Sequence, residues 1–127
     1  METAEEFIKK KEEEYRKYPN KKFSFKDISR QGKHFWVRED WIFMKQHNLS
    51  EKVFVFERLK RVEIEGQITH TKNRELGDIE YRFGYYIIGK NGTKKDKWTW
   101  GQYCPLIPIE DFDRLIKLAK EKGVIKE

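Results

Sequence analysis

Residues 79–103 read IEYRFGYYIIGKNGTKKDKWTWGQY, two β-favouring runs on either side of Asn91-Gly92. Asn-Gly is the pair preferred by a two-residue type I′ turn, in which both central residues need positive φ. The stretch therefore predicts a hairpin, with one strand in Ile79–Ile88 and the other in Lys97–Tyr103. Closing it on Asn91 and Gly92 sets Tyr85 opposite Trp98, Phe83 opposite Trp100 and Arg82 opposite Gly101. Alternation then sorts two faces. Tyr81, Phe83, Tyr85, Ile87, Trp98 and Trp100 form an apolar face, expected to be core. Glu80, Arg82, Gly84, Tyr86, Lys95, Lys97, Thr99, Gly101 and Tyr103 form a polar, basic face, where Gly84 and Gly101 are expected to leave a shallow trough beside Arg82, Tyr86 and Lys97.

Upstream, Val53–Phe56 is an apolar run, and beyond Leu59 the pattern alternates, with Val62, Ile64 and Ile68 on one side and Arg61, Glu63 and Glu65 on the other. That predicts one bent strand or two strands. His34–Arg38 fits a short strand, and Asp40–His47 (DWIFMKQH) a short helix capped by Asp40 and closed by Asn48. Residues 20–34 are polar with Phe23, Phe25 and Ile28 as possible anchors, and residues 71–78 (TKNRELGD) are expected to be a mobile connector. At the amino end, Thr3 with Glu6 is a capping-box pattern. Ala4, Phe7, Ile8, Tyr15 and Tyr18 follow helical spacing, interrupted by Lys11, until Pro19-Asn20. At the carboxyl end, Pro105 and Pro108 end the hairpin, and Ile109, Phe112, Leu115, Ile116 and Ala119 predict a helix stopped by Gly123. The elements add up to one α+β domain over residues 1–127. Its antiparallel sheet has about four or five strands, with an N-terminal and a C-terminal helix on its apolar face. An SH3-like or partly open barrel with flanking helices is the alternative.

The chain of 127 residues is of single-domain size. Its mean hydropathy of -0.95 is low, yet 4 Trp, 6 Tyr and 9 Phe supply the apolar bodies that disordered chains lack. No apolar run approaches the roughly 18 residues that span a bilayer, so no membrane helix is expected. The amino terminus has no signal-peptide h-region. Cys104 alone forms neither an internal disulfide nor a metal-ligand pair, which fits a reducing, cytoplasmic setting. The Lys/Glu/Ile-rich composition with few Asn and Gln resembles that of proteins from hot environments.

The net charge of +6 is uneven: residues 58–103 hold 10 basic and 6 acidic residues, and so carry +4 of it. Tyr81, Phe83, Tyr85, Tyr86, Trp98, Trp100 and Tyr103 interleave with the basic residues there, as on surfaces that hold phosphates and stack bases. The leading functional reading is a non-catalytic nucleic-acid-binding module, for DNA or RNA. In it Arg82, Lys94, Lys95 and Lys97, helped by Lys72 and Arg74, neutralise phosphates while Tyr86 or Tyr103 stacks on a base. The plainer alternative is a solvated Lys/Glu surface over an aromatic core. A second functional reading is an interaction or assembly subunit (homo-oligomer) using the aromatic sheet face. A third is a small enzyme or nucleotide-binding domain with Glu63, Glu65, Asp78 and Glu80 gathered in a pocket.

Other chemistries fit poorly. Gly84–Lys90 (GYYIIGK) satisfies the first seven positions of a P-loop, but its interior is a Tyr/Ile strand, Asn91 takes the Ser/Thr place, and a turn follows instead of a helix. No Asp/Glu-x-Lys triplet of a metal-dependent nuclease occurs; Glu80-Tyr81-Arg82 with Asp78 comes nearest, and Arg cannot replace the lysine. His34, His47 and His70 are too scattered to suggest zinc. Cys104 has no base beside it, and there is no G-x-S-x-G. No metal or cofactor is expected.

Overall fold

Four consecutive apolar residues suit a strand only if the sheet is covered on both sides, and Val53, Phe54, Val55 and Phe56 are all buried. The computed structural model describes residues 1–25, 32–66 and 75–126. Its elements are α1 (Ala4–Lys17), β1 (Phe23–Ser24), β2 (Lys33–Lys45), β3 (Lys52–Glu65), β4 (Ile79–Ile88), β5 (Trp98–Trp100) and α2 (Ile109–Lys122). The five strands form one antiparallel sheet in the order β1-β2-β3-β4-β5, curled into a half-barrel. This is the α+β architecture expected, in the form of its partly open barrel. Register shifts between Phe35 and Trp36 and between Arg38 and Asp40 interrupt the β2–β3 ladder. Such bulges bend a strand and raise its twist.

The helices lie on opposite faces, which corrects the expectation that both cover one. On one face Ala4, Phe7 and Tyr15 of α1 pack with Trp41, Phe43, Val53 and Val55, joined by Tyr86, Trp98 and Trp100. On the other, Leu115 and Ala119 of α2 and Val124 pack with Met44, Phe54, Phe56 and Tyr85. This explains a second correction: Asp40–Lys45 is strand, not helix, pairing in register from Asp40 with Arg58 to Lys45 with Val53. Trp41–Met44 is a continuous apolar run because both faces are covered, and such a run does not distinguish a short helix from a two-sided strand.

The helix ends follow their local chemistry. Glu6 donates its backbone N–H to the Thr3 hydroxyl, and Thr3 N–H donates to the Glu6 carboxylate, so the capping box is complete. Gly123 ends α2 with φ 85, where a side chain would be strained. The inward stripe of α2 is Asp111, Leu115 and Ala119. It differs from the apolar stripe in the sequence, leaving Ile109 and Phe112 exposed. Asp111 turns inward because it accepts from the backbone N–H of His47, at 3.1 Å, and pairs with its Nδ1, at 2.9 Å. That hydrogen bond raises the His47 pKa above its ordinary 6.5, more than burial lowers it, and the charges of Asp111 and Glu110 add to the rise. A raised folded-state pKa means that the latch contributes most below pH 6.5 and is lost as pH rises through the folded value. Urea midpoints across pH 5–9 are expected to fall over that window in the parent, and the step is expected to vanish in His47→Gln.

The hairpin forms, but in a different register. Tyr86 pairs with Trp100, Ile87 with Thr99 and Ile88 with Trp98, three positions from a two-residue closure. Asn91 is extended at φ -137, whereas positive φ falls at Gly92 and at Asp96. A 3₁₀ turn over Gly92–Lys94 lengthens the loop, which is tied by Asp96 N–H to the Gly89 carbonyl at 2.9 Å and by Gly89 N–H to that of Lys97 at 3.0 Å. An odd shift swaps the faces of β5. Trp98 and Trp100 therefore join Tyr86 on the α1 side, where Trp98 stacks on Phe7 with centroids 4.9 Å apart. Long-range aromatic packing thus overrides the local turn preference. The swap also reshapes the predicted trough: Arg82 still borders the depression at Gly84 and Gly101, but Tyr86 and Lys97 do not line it, and rings cover both glycines. Trp100 lies over Gly84 and the Tyr85 ring over Gly101, so closely that a Cβ on either glycine would overlap the ring. Among the described residues no helix is long and apolar enough to cross a membrane.

Candidate functional site

Glu57 follows the Val53–Phe56 run on the central strand, and its side chain is fully buried. A buried carboxylate is stable only if cations and hydrogen bonds replace its water. The neighbouring strands supply them. Arg38 of β2 donates from Nε to Oε2, and Arg82 of β4 donates from Nε to Oε1 at 2.9 Å. Aromatic rings hold both guanidinium groups in place. Arg38 lies 3.8 Å from the Tyr15 ring centroid and 4.8 Å from that of Phe23. Arg82 lies 5.0 Å from Phe23, 5.0 Å from Phe25 and 4.8 Å from Trp100. Stacking and hydrogen bonding together fix a guanidinium plane that a single contact would leave free.

Each arginine borders its own cavity. The Arg38 cavity, about 180 Å³, lies between the end of α1 and β1, and is lined by Lys11, Glu14, Tyr15, Tyr18, Lys21, Phe23, Arg38 and Tyr86. Lys11, which interrupts the apolar stripe of α1, sits 5.4 Å over the Tyr86 ring and 3.6 Å from Glu14. The Tyr15 and Tyr86 hydroxyls meet at 3.4 Å. Burial first, and the nearby Tyr86 and Glu57 next, push the Tyr15 phenol well above its ordinary range, so it stays neutral. The second cavity, a cleft of about 700 Å³, is lined by Phe25, Arg82, Phe83, Tyr85, Trp100, Gln102 and Tyr103, together with the two ring-covered glycines. It runs beside β4 past the end of β5, where the last ladder bond is Gly101 N–H to the Tyr85 carbonyl at 2.8 Å. Phe23 and Phe25, centroids 6.2 Å apart, separate the two cavities.

The residues singled out in the sequence fall into three groups. Arg82, Tyr86 and Tyr103 border the two cavities. Lys94, Lys95 and Lys97 are exposed in the hairpin loop, and the register does not set Lys95 and Lys97 opposite Arg82. Lys72 and Arg74 lie outside the described residues, as do Ile28, Ile68 and His70. Sequence reasoning missed Glu57, Arg38, Lys11, Tyr15, Tyr18 and Lys21. The one available signal was Glu57 itself, a charge abutting a run that reads as two-sided core.

Three of the four carboxylates set aside for a catalytic pocket are used elsewhere. Asp78 and Glu80 both engage Arg61, at 2.5 and 3.0 Å, and Lys22 holds Glu63 at 2.6 Å and lowers its pKa. Among the described residues no three His, Cys, Asp or Glu side chains gather where they could hold a metal ion. Comparison of the chain with family models, curated proteins and solved structures finds no match.

Proposed function

We propose that the protein binds nucleic acid through the cationic, ring-lined concave face around Glu57. The observation that supports this most is the Arg38–Glu57–Arg82 arrangement: two arginines, aimed by one buried carboxylate and stacked on rings, each opening onto a cavity. Their charge exceeds that of the carboxylate they share, and Lys21 adds to it, while Lys11 is paired with Glu14 in the same lining. Lys94, Lys95 and Lys97 extend the positive surface from the hairpin loop, and Tyr86 and Tyr103 offer rings for stacking. A reducing, cytoplasmic setting is part of the proposal and suits the free, exposed Cys104.

Anisotropy titrations with labelled DNA and RNA over a salt series test it. Affinity is expected to fall linearly in log salt, and Lys94→Ala, Lys95→Ala or Lys97→Ala each to reduce the slope by roughly 0.7 to 0.9 if that lysine meets a phosphate. Absence of binding to any nucleic acid at low salt would overturn the proposal.

One observation favours the assembly reading instead. Tyr103, Leu106 and Ile109 are more than three-quarters exposed, and Phe112 is nearly half exposed, a row at three-residue spacing along the connector and first turn of α2. On the sheet itself, Ile79 and Tyr81 of β4 are also exposed, so part of the aromatic face named in the sequence stays open. Sedimentation as a stable dimer that Leu106→Asp dissociates would favour this reading.

A further inference from the structure

Resting on the nucleic-acid reading above, we propose that the cleft takes an unpaired strand in preference to a duplex. One base enters the Arg38 cavity, and a neighbour stacks at Trp100 beside Arg82, with Phe23 and Phe25 standing between them as a rib. Accessibility is the first argument. Duplex backbones are met by cations standing clear of the surface, because the phosphates lie on the outside of the helix. Here the side chains of Arg38 and Arg82 are only 18% and 21% exposed. A group reaches Arg82 through the cleft beside β4, and Arg38 through the small cavity beside α1 or through a broader cleft bordered by Val37, Arg58 and Lys60.

Size is the second. A volume of 180 Å³ equals about six waters at roughly 30 Å³ each, room for one base or one phosphate group and far too little for a base pair. Lining chemistry is the third. The half-buried rings of Tyr86 and Phe23 line the cavity and offer an unpaired base apolar edges, the buried Tyr15 ring backs Arg38, and Arg38 presents a guanidinium edge to the cavity. Among the described residues Arg38 donates only its Nε, to Glu57, so its Nη groups remain for a ligand. Across the rib, the Trp100 ring is fixed by Tyr86, centroids 5.1 Å apart, and by Arg82. It is a stacking platform that needs no rearrangement.

The test compares 12-nucleotide oligo(dT) and oligo(U) with a 12-base-pair duplex at one salt concentration, with thymidine monophosphate and inorganic phosphate as competitors. Single strands are expected to bind about tenfold more tightly than the duplex, as one extra stacked base would give. Tyr18→Ala with Lys21→Glu, two exposed positions at the cavity mouth, is expected to weaken single-strand binding about tenfold with an unchanged melting temperature. Trp100→Phe is expected to keep the affinity and lose most of the quenching of tryptophan emission by the strand. Arg38→Gln combined with Glu57→Gln removes the Arg38 pairing and leaves Arg82 a neutral acceptor; read beside its melting temperature, it is expected to weaken single-strand binding too. Equal or tighter binding of the duplex overturns this inference and leaves the nucleic-acid reading standing. So does single-strand binding unaffected by either double variant. Competition by monophosphate or phosphate as strong as by the strand assigns the cavity to a small anion and also overturns it. Failure to bind any nucleic acid at low salt overturns both.

Discussion

Glu57→Ala is expected to lower stability by about 3–5 kcal/mol. Glu57 is fully buried and is the shared acceptor of Arg38 and Arg82. Removing it leaves two guanidinium groups facing each other beneath rings that keep water away. Desolvation and like-charge repulsion then act together, and this outweighs the loss of one hydrogen bond, worth about 1 kcal/mol. Glu57→Gln keeps the shape and one acceptor, and is expected to recover only part of the loss. Urea unfolding at constant m measures both changes. A loss below about 1 kcal/mol would mean that the arginines turn out to solvent without strain, in the range of exposed ion pairs. The concave face would then not be preorganised.

The tryptophan expected to matter most is Trp36, not the pair in the hairpin. Trp98 and Trp100 are half-buried, whereas Trp36 on β2 is 1% exposed. Its ring lies 4.7 Å from the Arg61 guanidinium and stacks on Phe25 at 6.1 Å. Arg61 is itself fully buried and holds Asp78 and Glu80. Trp36 is the largest fully buried side chain among the described residues, and Trp36→Ala also uncovers the Arg61 pairings, so a loss of about 3–5 kcal/mol is expected. Trp98→Ala and Trp100→Ala are expected to cost less, because water already reaches part of each ring. Thermal unfolding of the three variants side by side gives the order, and a Trp36 variant melting with the parent would contradict this account.

How far the fold could be read from the sequence depended on how local each signal was. The capping box at Thr3 and Glu6, the stop at Gly123 and the existence of a hairpin around Asn91-Gly92 are local, and all were legible. The register was not, because Asn91-Gly92 specifies the tightest closure, whereas Phe7, some 90 residues away, decides where Trp98 packs. The strand at Trp41–Met44 was missed for a related reason: its apolar run marks burial on both faces only once α1 and α2 are known to lie on opposite sides. The candidate site joins residues from α1, β1, β2, β3, β4 and β5. Arg82, Tyr86 and Tyr103 were accessible as members of one basic, aromatic stretch. Arg38, Lys11 and Tyr15 lie in segments of nearly neutral composition, and only strand pairing and the docking of α1 bring them beside Glu57 and Tyr86.

Each strand pairs with its immediate neighbour in sequence, from β1 through β5, and this governs how the chain folds as well as how it rests. A meander of this kind grows one hairpin at a time, so each step closes a short loop and incurs little chain entropy before it gains contacts. The short link between β2 and β3, from Gln46 to Glu51, is fastened by its own backbone bonds: Leu49 N–H to Gln46 at 3.3 Å and Gln46 N–H to Lys52 at 3.1 Å. That hairpin is expected to form first. The two helices, at the chain ends and on opposite faces, can dock afterwards without either waiting for the other. Nucleation in β2–β3 with late helix docking means that changes in α2 act mainly on the unfolding rate, and changes in Val53 or Phe54 on the folding rate.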